Sequence, residues 1–375
     1  MSSTETALTA ILAERIRRFG PITFAEYMRE ALYHPLYGYY TKPEVARFAD
    51  YYTSVDVHPI FGRLLARQFY EMWGLMDCPA PFTAVEAGAG GGRLAVHILE
   101  FAKFALPEFY KALHYVAVER SPSRTHQLTA RLANFIQEGK CVASIEVPAK
   151  IANGCVFSNE LLDAMAVHRV IQDADGLREL FIAHGPNGFR EISQPLSSSA
   201  LSEYFEVQQI SLGEGQQAEA GLEACDWIME IGRRLQRGFV LTIDYGHEAS
   251  GLYNEHHMSG TVLAYAGHDA KENYYAAPGQ QDLTAHVNFT ALQLWGERSG
   301  LNTIGLVSQT AFLLALGKAN DFDDLYDEGM DETDRMRARL QLKTLIYPEG
   351  MGERFQVLVQ EKGVPGARLR GMGGF

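Results

Sequence analysis

The sequence predicts an α/β protein built on a parallel, doubly wound sheet. Three observations predict it. A short apolar run, Phe82-Thr-Ala-Val85, leads into Glu86-Ala-Gly88-Ala-Gly90-Gly91-Gly92-Arg93-Leu94 and then into apolar residues at helical spacing over 95–102. Further apolar runs at 115–118, 155–157 and 239–243 alternate with helical patterns. Each of these runs ends in polar or acidic residues: Glu119, Ser158-Asn159-Glu160 and Asp244-Tyr245-Gly246. Alternating strands and helices make parallel sheets, and ligands bind there at the carboxyl ends of the strands.

The 375 residues have room for one large α/β domain with insertions or for two smaller domains. An apolar content of 47% supports a sizeable core, which argues against disorder. A net charge of −13 with no long Lys/Arg run excludes phosphate-backbone binding as the main activity. Cys78, Cys141, Cys155 and Cys225 are scattered, so neither a zinc knuckle nor a CxxC redox pair is expected, and no metal. They read as reduced core residues of a cytosolic protein. No apolar run reaches the length of a membrane span. The first twenty residues read as an ordinary helix: they lack the charged start and long apolar core of a secretory signal, and Glu5 and Glu14 count against the transit segment that Arg15, Arg17 and Arg18 resemble.

In chain order, 8–19 predicts an amphipathic helix stopped by Gly20-Pro21. Thr23-Phe-Ala-Glu26 is a capping box that starts a second helix, running to about Leu32. Tyr33-His-Pro-Leu-Tyr37-Gly38-Tyr39-Tyr40 is a turn dense in tyrosine, either packed on its own domain or walling a cleft. Asp50-Tyr51-Tyr52-Thr53-Ser54 is another polar, aromatic loop. A helix begins at Pro59, with Ile60, Phe61, Leu64, Leu65, Phe69, Met72 and Trp73 on one face. Residues 1–80 therefore predict a helical N-terminal cap. Residues 81–375 predict the α/β domain, with an insertion subdomain formed at about 167–220 and 246–288.

Within the domain, Ser144-Ile-Glu-Val147 is a weak third strand. Asp173-Ala-Asp-Gly176 and Gly185-Pro-Asn-Gly188 sit between alternating stretches and predict hairpins. The span 246–284 has little periodicity and reads as a long functional loop. Helices are expected at 289–298, 309–316 and 331–345, and strands at 301–307 and 355–359. The last ten residues, rich in Gly and Arg, read as a loose end.

The glycine corner discriminates between ligands. A dinucleotide fingerprint needs Gly-x-Gly-x-x-Gly directly after the strand. Counted from Gly88 its sixth position is Arg93, which fails. Counted from Gly90 it is Ala95, which places the turn two residues too far from the strand. The pattern Glu86-x-Gly88-x-Gly90-x-Gly92 fits better and resembles the first motif of class I methyltransferases. That resemblance implies S-adenosyl-L-methionine as cofactor, Glu86 facing its ammonium group, and backbone approach at Gly88, Gly90 and Gly92. Glu119, at the end of the second strand, suits two hydrogen bonds to ribose hydroxyls.

Longer stretches narrow the resemblance. Tyr37-Gly38-Tyr39-Tyr40, Asp50-Tyr51-Tyr52-Thr53-Ser54, Phe61-Gly62, Ser158-Asn159-Glu160-Leu161-Leu162-Asp163-Ala164, Asp244-Tyr245-Gly246, Gln281-Asp282-Leu283-Thr284-Ala285-His286-Val287 and Gln309-Thr310-Ala311-Phe312-Leu313 are similar to the MidA family. This is the S-adenosylmethionine-dependent methyltransferase family that includes a mitochondrial complex I assembly factor. The similarity runs from about Thr23 to Gly363. It implies a class I methyltransferase, Rossmann-like sheet and methylation of a protein arginine, with a respiratory-complex subunit as one candidate substrate. It also implies a cytoplasmic location in a bacterium or the mitochondrial matrix in a eukaryote. Ala89, Gly91 and Arg93 depart from the family's Gly-Pro-Gly-Arg-Gly-Thr-Leu, while the three spacing glycines remain.

Methylating an arginine requires its guanidinium to be neutralised and aimed, which carboxylates do. Glu160 and Asp163 follow the fourth strand and share a face if a helix starts at Asn159, itself a candidate cofactor contact. Asp244 either contacts substrate or pins the following loop. His286 reads as a structural histidine, and His256-His257 point apart on an extended chain. The rival readings are methylation of a small molecule or another side chain, and a non-catalytic assembly factor.

Overall fold

The computed structural model describes residues 6–41, 58–266, 269–271, 273–346 and 355–373. The loop 50–54 lies outside them. The chain forms two compact units. One comprises Tyr52–Leu161, Met229–Tyr245 and Gly296–Phe375, and the other Met1–Tyr51, Leu162–Ile228 and Gly246–Trp295.

The first of these holds the doubly wound sheet. Its strands are β1 (Phe82–Ala87), β2 (Leu113–Val118), β3 (Cys141–Ser144), β4 (Gly154–Asn159), β5 (Gly238–His247), β6 (Asn302–Ser308) and β7 (Phe355–Lys362). They lie in the order β6-β7-β5-β4-β1-β2-β3. The pairings β3-β2, β2-β1, β1-β4 and β4-β5 are parallel, and β7 runs antiparallel to both β5 and β6. The order reverses between β1 and β4, which makes their carboxyl ends the switch point where such sheets hold ligands.

Each central strand is buried along nearly its whole length because helices cover the sheet, so the strands read as apolar runs rather than alternations. The helix Ile60–Leu75 buries Leu64, Leu65, Phe69 and Met72 in this core, where Phe69 lies 4.9 Å from Phe157 of β4, ring to ring. Residues 1–80 therefore do not form one cap: 6–41 fold with one unit and 58–80 with the sheet.

Two edges differ from the sequence reading. The third strand is Cys141–Ser144, paired Tyr115 to Cys141, and not 144–147. Cys141 is buried whereas Ile145 is 61% exposed, so the core sits at the earlier end of the run. The C-terminal end is not loose. Leu369 is fully buried, and the backbone N–H groups of Arg370 and Gly371 donate to Glu71 and Gln68 of the helix Ile60–Leu75.

The other unit is built on an antiparallel sheet. Gly176–Gly185 pairs with Gly188–Gln194 on one side. On the other it pairs with His168–Asp173 and then Ile22–Thr23. Both hairpin turns fall where Asp173 to Gly176 and Gly185 to Gly188 predict them. The helices Ala7–Phe19 and Phe24–Tyr33 pack here, the second behind a complete Thr23/Glu26 capping box. The span read as a long loop contains a small antiparallel sheet of Leu263–Ala266, Asp269–Lys271 and Asp282–Thr284. Strands of three or four residues are too short to show an alternation.

The packed C-terminus carries a testable cost. Leu369→Ala should lower the unfolding free energy by about 2–4 kcal/mol, as large-to-small changes at buried leucines do. Urea unfolding checks this, and an unchanged midpoint would mean the segment is loose.

Candidate functional site

The glycine corner is tied to the neighbouring strand. After β1, the N–H groups of Gly88 and Ala89 both donate to the carbonyl of Val118 at the end of β2, at 3.0 and 2.9 Å. The chain can make this turn because Gly88, Gly90 and Gly92 adopt φ of 78°, 54° and 80°, where side chains are strained. The last two serve different needs. Gly92 is the N-cap of the helix Arg93–Ala105, and a Cβ on it would lie 2.7 Å from Leu128 Cδ1. A Cβ on Gly90 would meet nothing within 4 Å, so its surface is open to close approach.

Two acids flank the corner. Glu86, on β1, is buried, and its Oε2 accepts a 2.7 Å hydrogen bond from the Tyr115 hydroxyl on β2. Burial pushes its carboxyl up to about 8; the Tyr115 hydrogen bond opposes the shift and Glu119 adds to it. Glu119, also buried, accepts from Gly90 N at 3.0 Å and from Ser121 N at 2.8 Å, with Arg124 Nη1 3.7 Å away.

The ends of β4 and β5 supply the other candidates. Asn159 ends β4, and its side-chain N–H donates to Glu160 Oε1 at 3.1 Å. Its Oδ1 is buried and accepts no hydrogen bond from the protein. No helix starts at Asn159, contrary to the sequence reading. Glu160 has a left-handed backbone (φ 53°), its N–H donates to Ile243 O on β5, and the N–H of Leu161 donates to Asp244 Oδ2. These donors are spent on the adjacent strand, so the turn cannot close on itself. Glu160 and Asp163 thus have no shared helical face. Asp163 falls in the other unit, buried, where its carbonyl accepts from Ala285 N. Asp244 is fully buried and accepts both Leu161 N and its neighbour Tyr245 N, at 3.1 and 2.9 Å.

Phe61-Gly62 and 309–313 belong to the unit with the doubly wound sheet, whereas the tyrosine-rich turn at 37–40 and the 281–287 motif lie in the other unit. Tyr39 and Tyr40 pack there: the Tyr40 hydroxyl donates to Asp282 and its ring stacks on Tyr33. His286 N–H donates to Thr261 Oγ1, and its ring is 5.6 Å from that of His247 and 6.3 Å from that of His257. Among the described residues, no group of three or more His, Cys, Asp or Glu is placed to hold a metal ion. The sequence reading missed Tyr115. What links it to Glu86 is strand pairing, which no local pattern carries: Tyr115 and Ala117 share one face of β2, and Ala117 pairs in register with Glu86.

Residues 64–307 match the family model described as "Putative S-adenosyl-L-methionine-dependent methyltransferase". The chain belongs to the MidA family of S-adenosylmethionine-dependent methyltransferases. Its curated relatives include the "Protein arginine methyltransferase NDUFAF7, mitochondrial" of mouse, 27% identical over 99% of this chain and 87% of the relative. The human protein of that name is 27% identical over 96% and 84%. A COG1565 superfamily member from Burkholderia thailandensis, solved bound to S-adenosyl-homocysteine, superposes with a TM-score of 0.86 at 27% identity, covering 97% of this chain and 94% of that one.

This MidA-family protein uses S-adenosylmethionine, and the residues of its corner fit that group. Gly90 leaves a bare backbone surface, two buried acids stand on either side, and Asn159 Oδ1 offers an unused buried acceptor. The two glycines separate packing from binding. Gly90→Ala should cost about 1 kcal/mol of stability and weaken S-adenosylhomocysteine at least tenfold by calorimetry. Gly92→Ala should cost about 2–4 kcal/mol through strain and overpacking. Unaltered binding in Gly90→Ala would show that no ligand approaches there.

Proposed function

We propose that this methyltransferase modifies a guanidinium nitrogen of a protein arginine. The observation that carries the proposal is the near full-length similarity to relatives named protein arginine methyltransferases. In this reading Glu86 faces the cofactor's ammonium group and Glu119 accepts from its ribose hydroxyls. Gly88, Gly90 and Gly92 let the backbone approach, and Asn159 lends its free Oδ1. When bound, the cofactor supplies an electrophilic methyl group on sulfur.

The chain's own contribution is alignment and charge. A guanidinium is protonated at all physiological pH, so its lone pair must be exposed and its proton accepted. Glu160 takes that role in this reading, because it stands at the carboxyl end of β4 on a turn that the backbone holds rigidly. Asp163 is the second candidate acid. Asp244 is assigned to positioning, since it is fully buried and holds the backbone N–H groups of Leu161 and Tyr245. The protein works in an aqueous compartment, the cytoplasm of a bacterium or the matrix of a mitochondrion. A respiratory-complex subunit is the first acceptor to try.

The test is transfer of an isotope-labelled methyl group into lysate protein, followed by peptide mapping. Label should appear on arginine. Glu160→Gln should lower turnover at least a hundredfold while leaving the dissociation constant for S-adenosylhomocysteine within about twofold. Label confined to small molecules or to other side chains would end the arginine reading. Unchanged turnover in Glu160→Gln would remove Glu160 from the mechanism.

A further inference from the structure

Glu86 is a buried carboxyl with one hydrogen-bond donor. The Tyr115 hydroxyl stands 2.7 Å from Oε2, and among the described residues no Lys, Arg or His lies within ion-pair distance. The other titratable groups around it are Glu119 and Cys141, neither of which supplies a positive charge. Glu119 differs from it: it accepts two backbone N–H groups and has Arg124 nearby. The two acids at one corner therefore stand in opposite electrostatic settings, one compensated and one not.

We propose that Glu86, kept a neutral acid by burial in the free protein, releases its proton to solvent when the cofactor's ammonium group binds beside it, and that Tyr115 is a positioning residue that aims this carboxyl and favours its ionised form. The inference rests on the reading that Glu86 faces that ammonium group. The chemistry balances as a single proton transfer: one O–H bond of Glu86 breaks, the proton goes to buffer, and the carboxylate pairs with the ammonium cation. Burial is what makes the neutral form favourable before binding, and the arriving cation is what makes the ionised form favourable afterwards. The Tyr115 hydroxyl donates to either form, and more strongly to the ionised carboxylate, so it keeps the acceptor oxygens aimed through the change and favours its outcome.

With a free-state midpoint of about 8, linkage gives the sign. Binding should release about 0.9 proton at pH 7 and about 0.5 at pH 8, and affinity should fall roughly tenfold for each pH unit below the midpoint. The experiment titrates the full chain with S-adenosylhomocysteine, which keeps the ammonium group and undergoes no turnover. Calorimetry in buffers of different ionisation enthalpy gives the protons released per site between pH 6.5 and 8.5.

Wild type should show release that declines with rising pH. Tyr115→Phe, which keeps the ring and its packing, should bind about tenfold more weakly at pH 7 and release more protons than wild type at pH 8, because the donor favouring the carboxylate is gone. A purely structural role for Tyr115 would leave that release unchanged, and such a result would overturn its assignment. Glu86→Gln should bind weakly and release none. Wild type that releases no proton, while Glu86→Gln still weakens binding, would overturn the proton-release proposal but keep Glu86 at the cofactor. Unchanged binding in Glu86→Gln would instead remove Glu86 from the cofactor site.

Discussion

Parallel pairing of β1 between β2 and β4 is the constraint on which the site depends. Parallel neighbours bring carboxyl ends to one edge, whatever the sequence distance between them. That is how Glu86, Glu119 and Asn159, drawn from three crossovers, reach the same rim. The turn after β1 then has to leave the sheet without hiding this rim. It does so through three left-handed glycines and two backbone hydrogen bonds to Val118, leaving Gly90 bare. The same logic repeats one strand over, where β5 captures the N–H groups of Glu160 and Leu161.

Much of this was readable before any coordinates. Strands β1, β2, β4 and β5 declare themselves as apolar runs ending in polar residues, because burial on both faces removes alternation. Thr23/Glu26, Gly20 and the two Gly-bounded hairpin turns declare local backbone states directly. What stayed hidden is what a local pattern cannot carry. The helix expected from Asn159 has good local capping chemistry, and it loses to hydrogen bonds that its N–H groups donate to β5, 83 residues further on. The packing of Leu369 depends on Gln68 and Glu71, some 300 residues earlier. The helices Ala200–Val207 and Leu222–Arg234 are not among the elements expected from the sequence.

The candidate site divides in the same way. Its glycines and its two acids could be named from spacing, because a turn and a strand end are local features. Tyr115 could not be linked to Glu86 without knowing which strands are neighbours, and Asp244 could not be separated from the other candidate acids. The cofactor class follows from the family. The acceptor rests on relatives at 27% identity and on one acid beside a rigid turn.

Glu86 shows the cost of this design. An uncompensated carboxyl in the core works against folding at the pH where the protein must act, and a glutamine there would be easier to bury. In the proposed reading, a cation arriving to share the space accounts for its presence. The most direct measurement is a crystal structure of this chain with S-adenosylhomocysteine bound. The account predicts ribose hydroxyls on Glu119, the ammonium group on the Glu86 side, and backbone contact at Gly90. A ligand bound away from the β1 turn, or one whose ribose leaves Glu119 untouched, would contradict it.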